Sequence, residues 1–188
     1  MPGFERIIKS IRNRAKPAAM LARGSVARAL MPMILKGGGR LSVGRNVDFV
    51  VYGDLQVGRG VTLSSGCAIE VGPRGRLVLG DGVFIGRGTV ISSQSLIEIG
   101  PRVLIAEHCT IRDQDHQLGE EARLHEVGVP TKPVVISENA WIAAGARILK
   151  GSRIGKGSVI GANAVVRGDI PPGVVAAGVP VRVIRAIE

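Results

Sequence analysis

The chain has 188 residues and a formal net charge of +10, with 45% hydrophobic residues, 27 glycines and only 3% aromatic residues. A core built almost wholly from small aliphatic side chains is narrow and regular, which argues against an ordinary β-sandwich, a Rossmann domain and a disordered chain. No apolar run reaches the roughly 18 residues of a membrane-spanning helix, and no signal-peptide pattern opens the chain.

The first 40 residues hold most of the positive charge. They carry nine Lys or Arg and one acid, Glu5, a net charge of +8, whereas the remaining residues sum to +2. Their mixture of aliphatic and basic residues predicts a short helical arm over residues 1–40, broken near Pro17. This arm either packs as a solvated helix on the end of the fold or lies, through residues 1–36, on an anionic bilayer surface. It lacks the stacking aromatic residues that accompany nucleic-acid binding, so no nucleic-acid partner is expected.

From residue 41 onward, aliphatic residues recur every six positions, which is neither the helix period nor the strand alternation. A small residue usually stands four positions after each of them, and both cysteines occupy such a position. We interpret the cysteines as reduced core residues of a cytoplasmic protein. The aliphatic series before the long break is Val43, Val57, Leu63, Ile69, Leu79, Ile85, Ile91, Ile99, Ile105 and Ile111.

A six-residue period predicts a parallel β-helix, in which each hexapeptide supplies one short strand and one corner. Three strands complete a triangular coil of about 18 residues, and several coils must stack before the fold is stable. Between Leu63 and Ile111 the spacing grows to 20 or 22 residues per coil. We interpret the extra residues, at 73–75 and 93–95, as small corner bulges.

The period breaks between Ile111 and Ile136, where 25 residues stand in place of 6 or 8. This break predicts a loop over residues 112–133 that leaves the stack of coils, which we call the shaft. A long excursion from a compact repeat is usually functional, and this one contains His116, His125 and several acids. The period then resumes through Ile136, Ile142, Ile148, Ile154, Ile160 and Val166, and "DIPPGVVAAGVP" predicts an extended cap that closes the shaft.

The hexapeptides, a loop that opens with Asp-His, and the ending "WIAAGARILKGSRIGKGSVIGANAVVRGDIPPGVVAAGVPVRVIR" together resemble the left-handed β-helix acyltransferases. The similarity is to their sugar O-acetyltransferase branch, which includes galactoside, maltose, nodulation-factor and exopolysaccharide acetyltransferases. The resemblance covers residues 41–188. It implies an all-β fold, a left-handed parallel β-helix of hexapeptide repeats with a protruding loop. It also implies a homotrimer with active sites between neighbouring chains, acetyl-CoA as donor and a saccharide hydroxyl as acceptor.

Transfer of an acyl group from a thioester to an alcohol needs a base, because an alcohol does not ionise at neutral pH. His116 matches the loop histidine that performs this role in the family, and imidazole suits it chemically. Asp113 and Asp115 are the candidates for orienting the ring, although a backbone carbonyl serves equally well. Neither cysteine is placed as a nucleophile, so we expect direct transfer without a covalent intermediate.

Coenzyme A is expected to lie along the C-terminal coils, by matching to the family. The arginine side chains in this set suit phosphate, because a guanidinium donates two parallel hydrogen bonds. A solvated basic tail is the alternative for the last two arginines, and trimer packing is the alternative for the single tryptophan. The expected contacts are Trp141, the backbone at Ala144 and Ala162, Arg167, Gly168, Arg182 and Arg185.

The acceptor site is less defined by the sequence. The family's acceptor-binding Asn is replaced here by Gly86, which leaves Ser92, Ser93 and His125 as candidate contacts. His108 falls at a turn and is expected to face outward. The spacings between the three histidines, 8 and 9 residues, do not match the ligand pair of the γ-class carbonic anhydrases, so no metal is expected.

The sequence thus predicts an acetyl-CoA-dependent O-acetyltransferase that acts on a saccharide hydroxyl. Such an enzyme fits cell-surface polysaccharide biosynthesis, in the cytoplasm or at the inner face of the membrane. Two alternatives stay open: an N-acetyltransferase acting on an amino sugar, and a non-catalytic trimeric scaffold or binding module.

Overall fold

The computed structural model describes residues 20–23, 41–116 and 130–187. Strands are the only regular elements among these residues, and they form three sheets that we name A, B and C and number in chain order. Sheet A contains β1 (Met20–Arg23), β3 (Asp48–Val51), β6 (Ala68–Val71), β9 (Val90–Ser93), β12 (Thr110–Arg112), β15 (Arg147–Ile148) and β18 (Val165–Val166).

The other two sheets complete the triangle. Sheet C contains β4 (Asp54–Val57), β7 (Arg76–Leu79), β10 (Leu96–Ile99), β13 (Val134–Ile136), β16 (Arg153–Ile154) and β19 (Asp169–Ile170). Sheet B contains β2 (Ser42–Val43), β5 (Thr62–Leu63), β8 (Phe84–Ile85), β11 (Leu104–Ile105), β14 (Trp141–Ile142), β17 (Val159–Ile160), β20 (Val174–Ala177) and β21 (Arg182–Ala186).

The chain visits sheets B, A and C in turn, so every third strand becomes a parallel neighbour in the next coil. This is the coil that the six-residue period predicts. Its aliphatic residues all point into one continuous core, where only Val57 remains partly exposed. The predicted parallel β-helix of hexapeptide repeats is therefore confirmed.

The small residues four positions later are buried as well, beside the corners of the coil. Where such a residue carries a hydroxyl or thiol, it donates to a carbonyl of the next coil: Thr89 Oγ1 lies 3.0 Å from Ala106 O, and Cys109 Sγ lies 3.2 Å from Ala143 O. Both cysteines are free, and burial raises the pKa of the Cys67 and Cys109 thiols. Their structural role is confirmed.

The enlarged coils differ from the expectation of corner bulges. The paired residues Leu63 and Ile85 are 22 positions apart, whereas Ile136 and Ile154 are 18 apart. The added residues lengthen the strands on both sides of the corner between sheets A and C, from two residues to four. An extended strand adds a second inward side chain to the core, which a bulge would not do. The shaft is therefore wider in the coils that precede the loop in the sequence than in the coils that follow it. We call the preceding coils those below the loop and the following coils those above it.

The expected arm is partly corrected. Within it, β1 is a strand that pairs antiparallel with β3, in the register Met20 to Val51, and it covers the edge of sheet A. An uncovered edge strand leaves a row of unpaired N–H and C=O groups, and strand pairing satisfies them where a helix would not. The rest of residues 1–40 lie outside the described residues, as does most of the loop.

At the other end, β21 returns antiparallel to β20 and extends sheet B. This arrangement confirms that the segment after Val166 closes the shaft. In the part of the chain described, no helix with the length and apolarity for crossing a membrane is found.

Candidate active site

The loop leaves the shaft at the step between its wide and narrow parts, at the corner from sheet A to sheet C. Its two ends form a short antiparallel stem, the loop stem, consisting of residues 113–116 and 130–132. Gln114 bridges to Thr131, Asp115 N donates to Pro130 O at 3.2 Å, and Lys132 N donates to Asp113 O at 2.9 Å. Lys132 O accepts in turn from Gly151 N of the coil above, at 3.1 Å. The stem is thus bonded to the narrow part of the shaft.

His116 is the last described residue on the outgoing side of the stem and is exposed. Its backbone N–H donates to Asp115 Oδ1 at 3.0 Å, so that carboxylate contacts the His116 main chain. The other oxygen, Asp115 Oδ2, lies 3.9 Å from Lys150 Nζ, which belongs to the corner above the step. Asp115 therefore contacts both the main chain of His116 and the ammonium group of Lys150 at the step.

Asp113 turns inward instead. Its side chain is 0% exposed, and its two oxygens accept from Gln94 N at 2.8 Å, Ser95 N at 2.7 Å and Ser93 Oγ at 3.0 Å. Both carboxylate oxygens are thereby engaged by the turn of the coil below. Among the described residues, every buried side-chain nitrogen and oxygen has a hydrogen-bond partner, so this buried carboxylate is satisfied.

The two candidate acceptor serines are buried, Ser92 at 2% and Ser93 at 0% exposure. The amide of Gln114 covers Ser92: with its oxygen accepting from Ser92 Oγ at 3.0 Å, its nitrogen donates to Ser92 O and to Asp113 Oδ1. Ser93 Oγ also lies 2.9 Å from Arg76 O. Neither hydroxyl is open to a saccharide, which corrects the expectation that they line an acceptor site. The spacing from Ile91 showed only that these residues lie near the corner.

The candidate coenzyme contacts lie on the narrow coils above the step. Ala144 and Ala162 occupy successive turns of the corner between sheets B and A, and Ala144 O already accepts from Asn163 N at 2.8 Å. Ala162 and Arg167 are exposed. Gly168 has a φ of 92°, a backbone conformation that other residues rarely adopt.

Arg182 and Arg185 lie on β21, and both are exposed. Each guanidinium donates to a nearby backbone oxygen, Arg182 to Val181 O at 2.8 Å and Arg185 to Ala186 O at 3.0 Å. Each of these bonds uses one of the five N–H donors of a guanidinium. The structure therefore places two cations on the closing strand, with donor capacity remaining for an anion.

Trp141 faces outward with 49% exposure, as its position beside Ala140 predicts. On sheet B it pairs with Leu104, and Leu104 pairs with Phe84, and all three are exposed. These three side chains form an apolar column, which we call the sheet B column. It continues toward the closing strand, where Val183 and Ile184 are also exposed. Single exposed apolar residues are normal, but a contiguous row of them marks an interaction surface.

Of the remaining histidines, the structure describes His108. His108 is exposed at a turn, as expected, with a φ of 57°. His125 lies outside the described residues. Within residues 41–116 and 130–187, no three His, Cys, Asp or Glu side chains are grouped for a metal ion.

Gly86, where the family has Asn, lies against the coil above. A Cβ at this position would lie 2.6 Å from Glu107 N, so no side chain fits there without a backbone shift. This position therefore presents no side chain. Sequence reasoning also missed Gln114 and Lys150; the only signal for them was the change from 22-residue to 18-residue coils, which marks the step.

Residues 133–168 match the family described as bacterial transferase hexapeptide (six repeats). Over 86 residues, 46% of this chain, the sequence is 40% identical to the galactoside O-acetyltransferase of Escherichia coli (strain K12). The match spans 42% of that enzyme's length.

Two solved structures are similar over most of the chain. AntD, an N-acyltransferase from Bacillus cereus, was solved with dTDP-4-amino-4,6-dideoxyglucose and coenzyme A. It has a TM-score of 0.66 and 23% identity, covering 88% of this chain and 91% of its own. A hexapeptide-repeat acetyltransferase from Vibrio cholerae O1, solved with acetyl coenzyme A, has a TM-score of 0.60 and 21% identity. That match covers 98% of this chain and 85% of the other.

At 21% and 23% identity, the similarity to these solved structures shows only the fold, a left-handed β-helix. The identity to the galactoside O-acetyltransferase is higher, at 40%. Residues 133–168 thus match a hexapeptide-repeat family, and the chain is similar over nearly half its length to a galactoside O-acetyltransferase.

Proposed function

We propose that the protein is an acetyl-CoA-dependent O-acetyltransferase that acts on a saccharide hydroxyl, with His116 as general base. The observation that carries the proposal is the position of His116, which emerges from the loop stem at the step of an acyltransferase-like β-helix. The 40% identity to a galactoside O-acetyltransferase supports the same reaction class.

The chemistry required of His116 is the removal of one proton. Its imidazole accepts the proton of the acceptor hydroxyl as the oxygen attacks the thioester carbonyl. The C–S bond then breaks, and the departing sulfur of coenzyme A takes that proton to leave as the thiol. A positioned base contributes roughly 100-fold to 10,000-fold to such a step. Asp115 suits the task of fixing the backbone of His116, because its Oδ1 accepts from the His116 N–H. Asp113 instead accepts hydrogen bonds from the corner of the coil below.

The donor's phosphates have candidate partners in Arg167, Arg182 and Arg185, and the turns at Ala144, Ala162 and Gly168 offer backbone for the pantetheine amides. Ala144, Ala162, Arg167 and Gly168 lie on the narrow coils above the step, and Arg182 and Arg185 lie on the closing strand β21. Trp141 belongs to sheet B on the same part of the shaft, where an exposed indole suits packing against the pantetheine.

A homotrimer is part of this proposal. The sheet B column is supporting evidence, because a contiguous apolar row on a polar surface suits association with a second copy of the chain. A closed trimer is built from head-to-tail contacts, so the column on each subunit would pack against a different surface of its neighbour. In a trimer, Trp141 serves at the interface between neighbours and faces the same cleft as the coenzyme.

The decisive experiment is thiol release from acetyl-CoA with a panel of hexoses, amino sugars and oligosaccharides, comparing wild type with His116→Ala. We expect acceptor-dependent release that falls at least about 100-fold in the variant, with coenzyme A binding unchanged by calorimetry. His108→Asn is the matched control, because His108 is an exposed histidine at φ 57° and Asn tolerates that conformation. Full activity in His116→Ala would show that another group acts as base.

N-acetylation of an amino sugar is the second candidate function. The structural similarity to AntD, which was solved with a nucleotide-linked amino sugar, favours it. The absence of a side chain at Gly86 points the same way, since it removes the acceptor contact expected in the O-acetyltransferases. An acetyl product that resists mild alkaline hydrolysis would identify an amide and establish this alternative. A wild type that neither binds coenzyme A nor releases thiol would indicate a non-catalytic scaffold.

The basic arm, residues 1–36, suits contact with an anionic membrane. Its eight Lys or Arg against one acid, Glu5, are the supporting observation. This contact would hold a cytoplasmic enzyme at the inner face of the membrane, where lipid-linked saccharides of cell-surface polysaccharides are accessible. Co-sedimentation with vesicles of 30% phosphatidylserine, roughly a physiological anionic fraction, against neutral vesicles is the test. We expect binding that is lost when residues 1–36 are deleted.

A further inference from the structure

We infer that Asp113 is the positioning residue that fixes the loop stem on the step of the shaft, and thereby sets where His116 emerges. The inference deepens the proposed function and rests on it for the role of His116, although the anchoring itself does not depend on activity.

Asp113 continues a column of inward side chains on sheet A. In the coils below, Val51, Val71 and Ser93 are stacked in register at the end of the widened strands. Asp113 directly follows Arg112, the partner of Ser92, so it occupies the next position of the same column. The column is apolar at Val51 and Val71 and polar at Ser93 and Asp113, the last of which lies where the loop departs, although all four positions are buried.

A carboxylate at this position has a specific task. The corner of the coil below, at Gln94 and Ser95, has two backbone N–H groups that point toward the missing corner above them. In the coil directly above, β12 ends at Arg112 and β13 begins at Val134, so no strand residue lies over this corner. Asp113 Oδ1 and Oδ2 accept one N–H each, at 2.8 and 2.7 Å, which replaces the ladder that the step interrupts.

The same residue joins the two ends of the loop. Asp113 O accepts from Lys132 N, and its side chain accepts from the amide of Gln114, which lies 2.7 Å away. Gln114 and Lys132 are on opposite sides of the stem. One residue thus connects the wide shaft below, the outgoing side of the stem and the returning side. His116 follows three residues later, and its position depends on this junction.

The first test measures amide hydrogen exchange in the full-length protein, comparing wild type, Asp113→Ala and Asp113→Asn. In Asp113→Ala we expect exchange at Gln94, Ser95 and Lys132 to rise about tenfold or more, since each loses its acceptor or its stem. Asn presents only one carbonyl oxygen, so Asp113→Asn should lie between. Asp169→Asn, an exposed acid on sheet C, is the matched control and should leave these amides unchanged. Unchanged exchange in Asp113→Ala overturns the inference.

The second test asks whether Asp113 acts through His116. We expect Asp113→Ala to lower kcat about tenfold or more with little change in KM for acetyl-CoA, and to have no further effect in a His116→Ala background. A fall in kcat that is equal in both backgrounds, or no fall, overturns the positioning role. If wild type shows no transferase activity, the proposed function fails separately. The NMR chemical shifts of the His116 side chain then test the inference. A change in these chemical shifts in Asp113→Ala supports it, and identical chemical shifts in the two proteins overturn it.

Discussion

At the residue scale, two corner positions are mostly glycine for different physical reasons. Directly after the inward aliphatic residue, the obstacle is the coil above: a Cβ at Gly80 would lie 2.6 Å from Pro101 N. Two residues further on, the obstacle is the backbone conformation, because φ is positive there; Gly157, for example, has a φ of 67° with open space around it. Asn fills this second position at Asn46, Asn139 and Asn163.

This difference predicts unequal costs for the same substitution. Gly80→Ala should lower the free energy of unfolding by about 3 kcal/mol or more, because backbone must move. Gly157→Ala should cost only about 1 kcal/mol, the penalty of a left-handed L-residue, and Gly157→Asn less. Urea denaturation of the three variants checks the order. Equal costs for Gly80→Ala and Gly157→Ala would show that conformation alone selects glycine.

The buried cysteines give a second prediction at this scale. Burial raises the pKa of the Cys67 and Cys109 thiols, so both stay protonated at pH 8, and both are shielded from solvent. We expect neither to react with a disulfide reagent in the native protein within minutes, and both to react after unfolding in urea. Rapid modification of the native protein would contradict this packing.

At the scale of elements, the corner from sheet C to sheet B carries alternating charges up the shaft. Asp81 accepts from Arg59 N at 2.7 Å and pairs with the Arg59 guanidinium, and Glu138 pairs with Arg102 below it and Lys156 above it. These pairs lie on the surface, where ion pairs are weak singly. Their repetition in register gives each coil a complementary neighbour and disfavours slippage by a hexapeptide.

Because Asp81 is titratable, the stability that these ion pairs provide depends on pH. The backbone N–H and guanidinium of Arg59 hold the pKa of Asp81 below its usual value. The contribution of these contacts to the stability of the fold is therefore present above the unfolded-state pKa of Asp81, and it is lost as the pH falls through the folded-state pKa. We expect Asp81→Asn to melt below wild type at pH 7, and the difference to shrink as the pH falls below about 4. Calorimetric melting at both pH values is the measurement. A difference that persists in acid would assign the effect to packing. High salt at pH 7 should also reduce the difference in melting temperature between wild type and Asp81→Asn.

At the scale of the whole molecule, the sheet B column is the main exposed apolar feature of the described shaft. Leu104 is at its centre, between Phe84 and Trp141. Seven parallel strands build this face, so its side chains are aligned by the coil register and not by closeness in sequence.

The proposed trimer therefore has a direct test. Leu104→Glu should dissociate it, because association would bury an uncompensated charge on every copy. Sedimentation velocity should give three times the monomer mass for wild type and the monomer mass for the variant. Glu98→Gln, on the exposed face of sheet C, is the control and should remain a trimer. A trimeric Leu104→Glu would place the interface on another face.

Much of the fold follows from the sequence, because every coil repeats the same environment and so repeats the same choice of residue. The six-residue period identified the inward series from Val43 to Val166 and the small positions beside it, including both cysteines. It also identified the loop and the outward direction of Trp141. The step was visible only as a change in coil spacing, and the burial of the candidate serines Ser92 and Ser93 at the corner could not be inferred from the spacing.

What the tertiary structure decided are the contacts between coils. The alignment of Phe84, Leu104 and Trp141 and the stacking of Asp113 above Ser93 join residues about 20 to 37 positions apart. Such registers depend on how many residues each corner absorbs, which local sequence does not state. The inward turn of Asp113 and the strand at Met20–Arg23 have the same cause: both satisfy backbone groups left unpaired where a regular coil ends. Sequence alone determined the repeat, and the structure determined how its interruptions are closed.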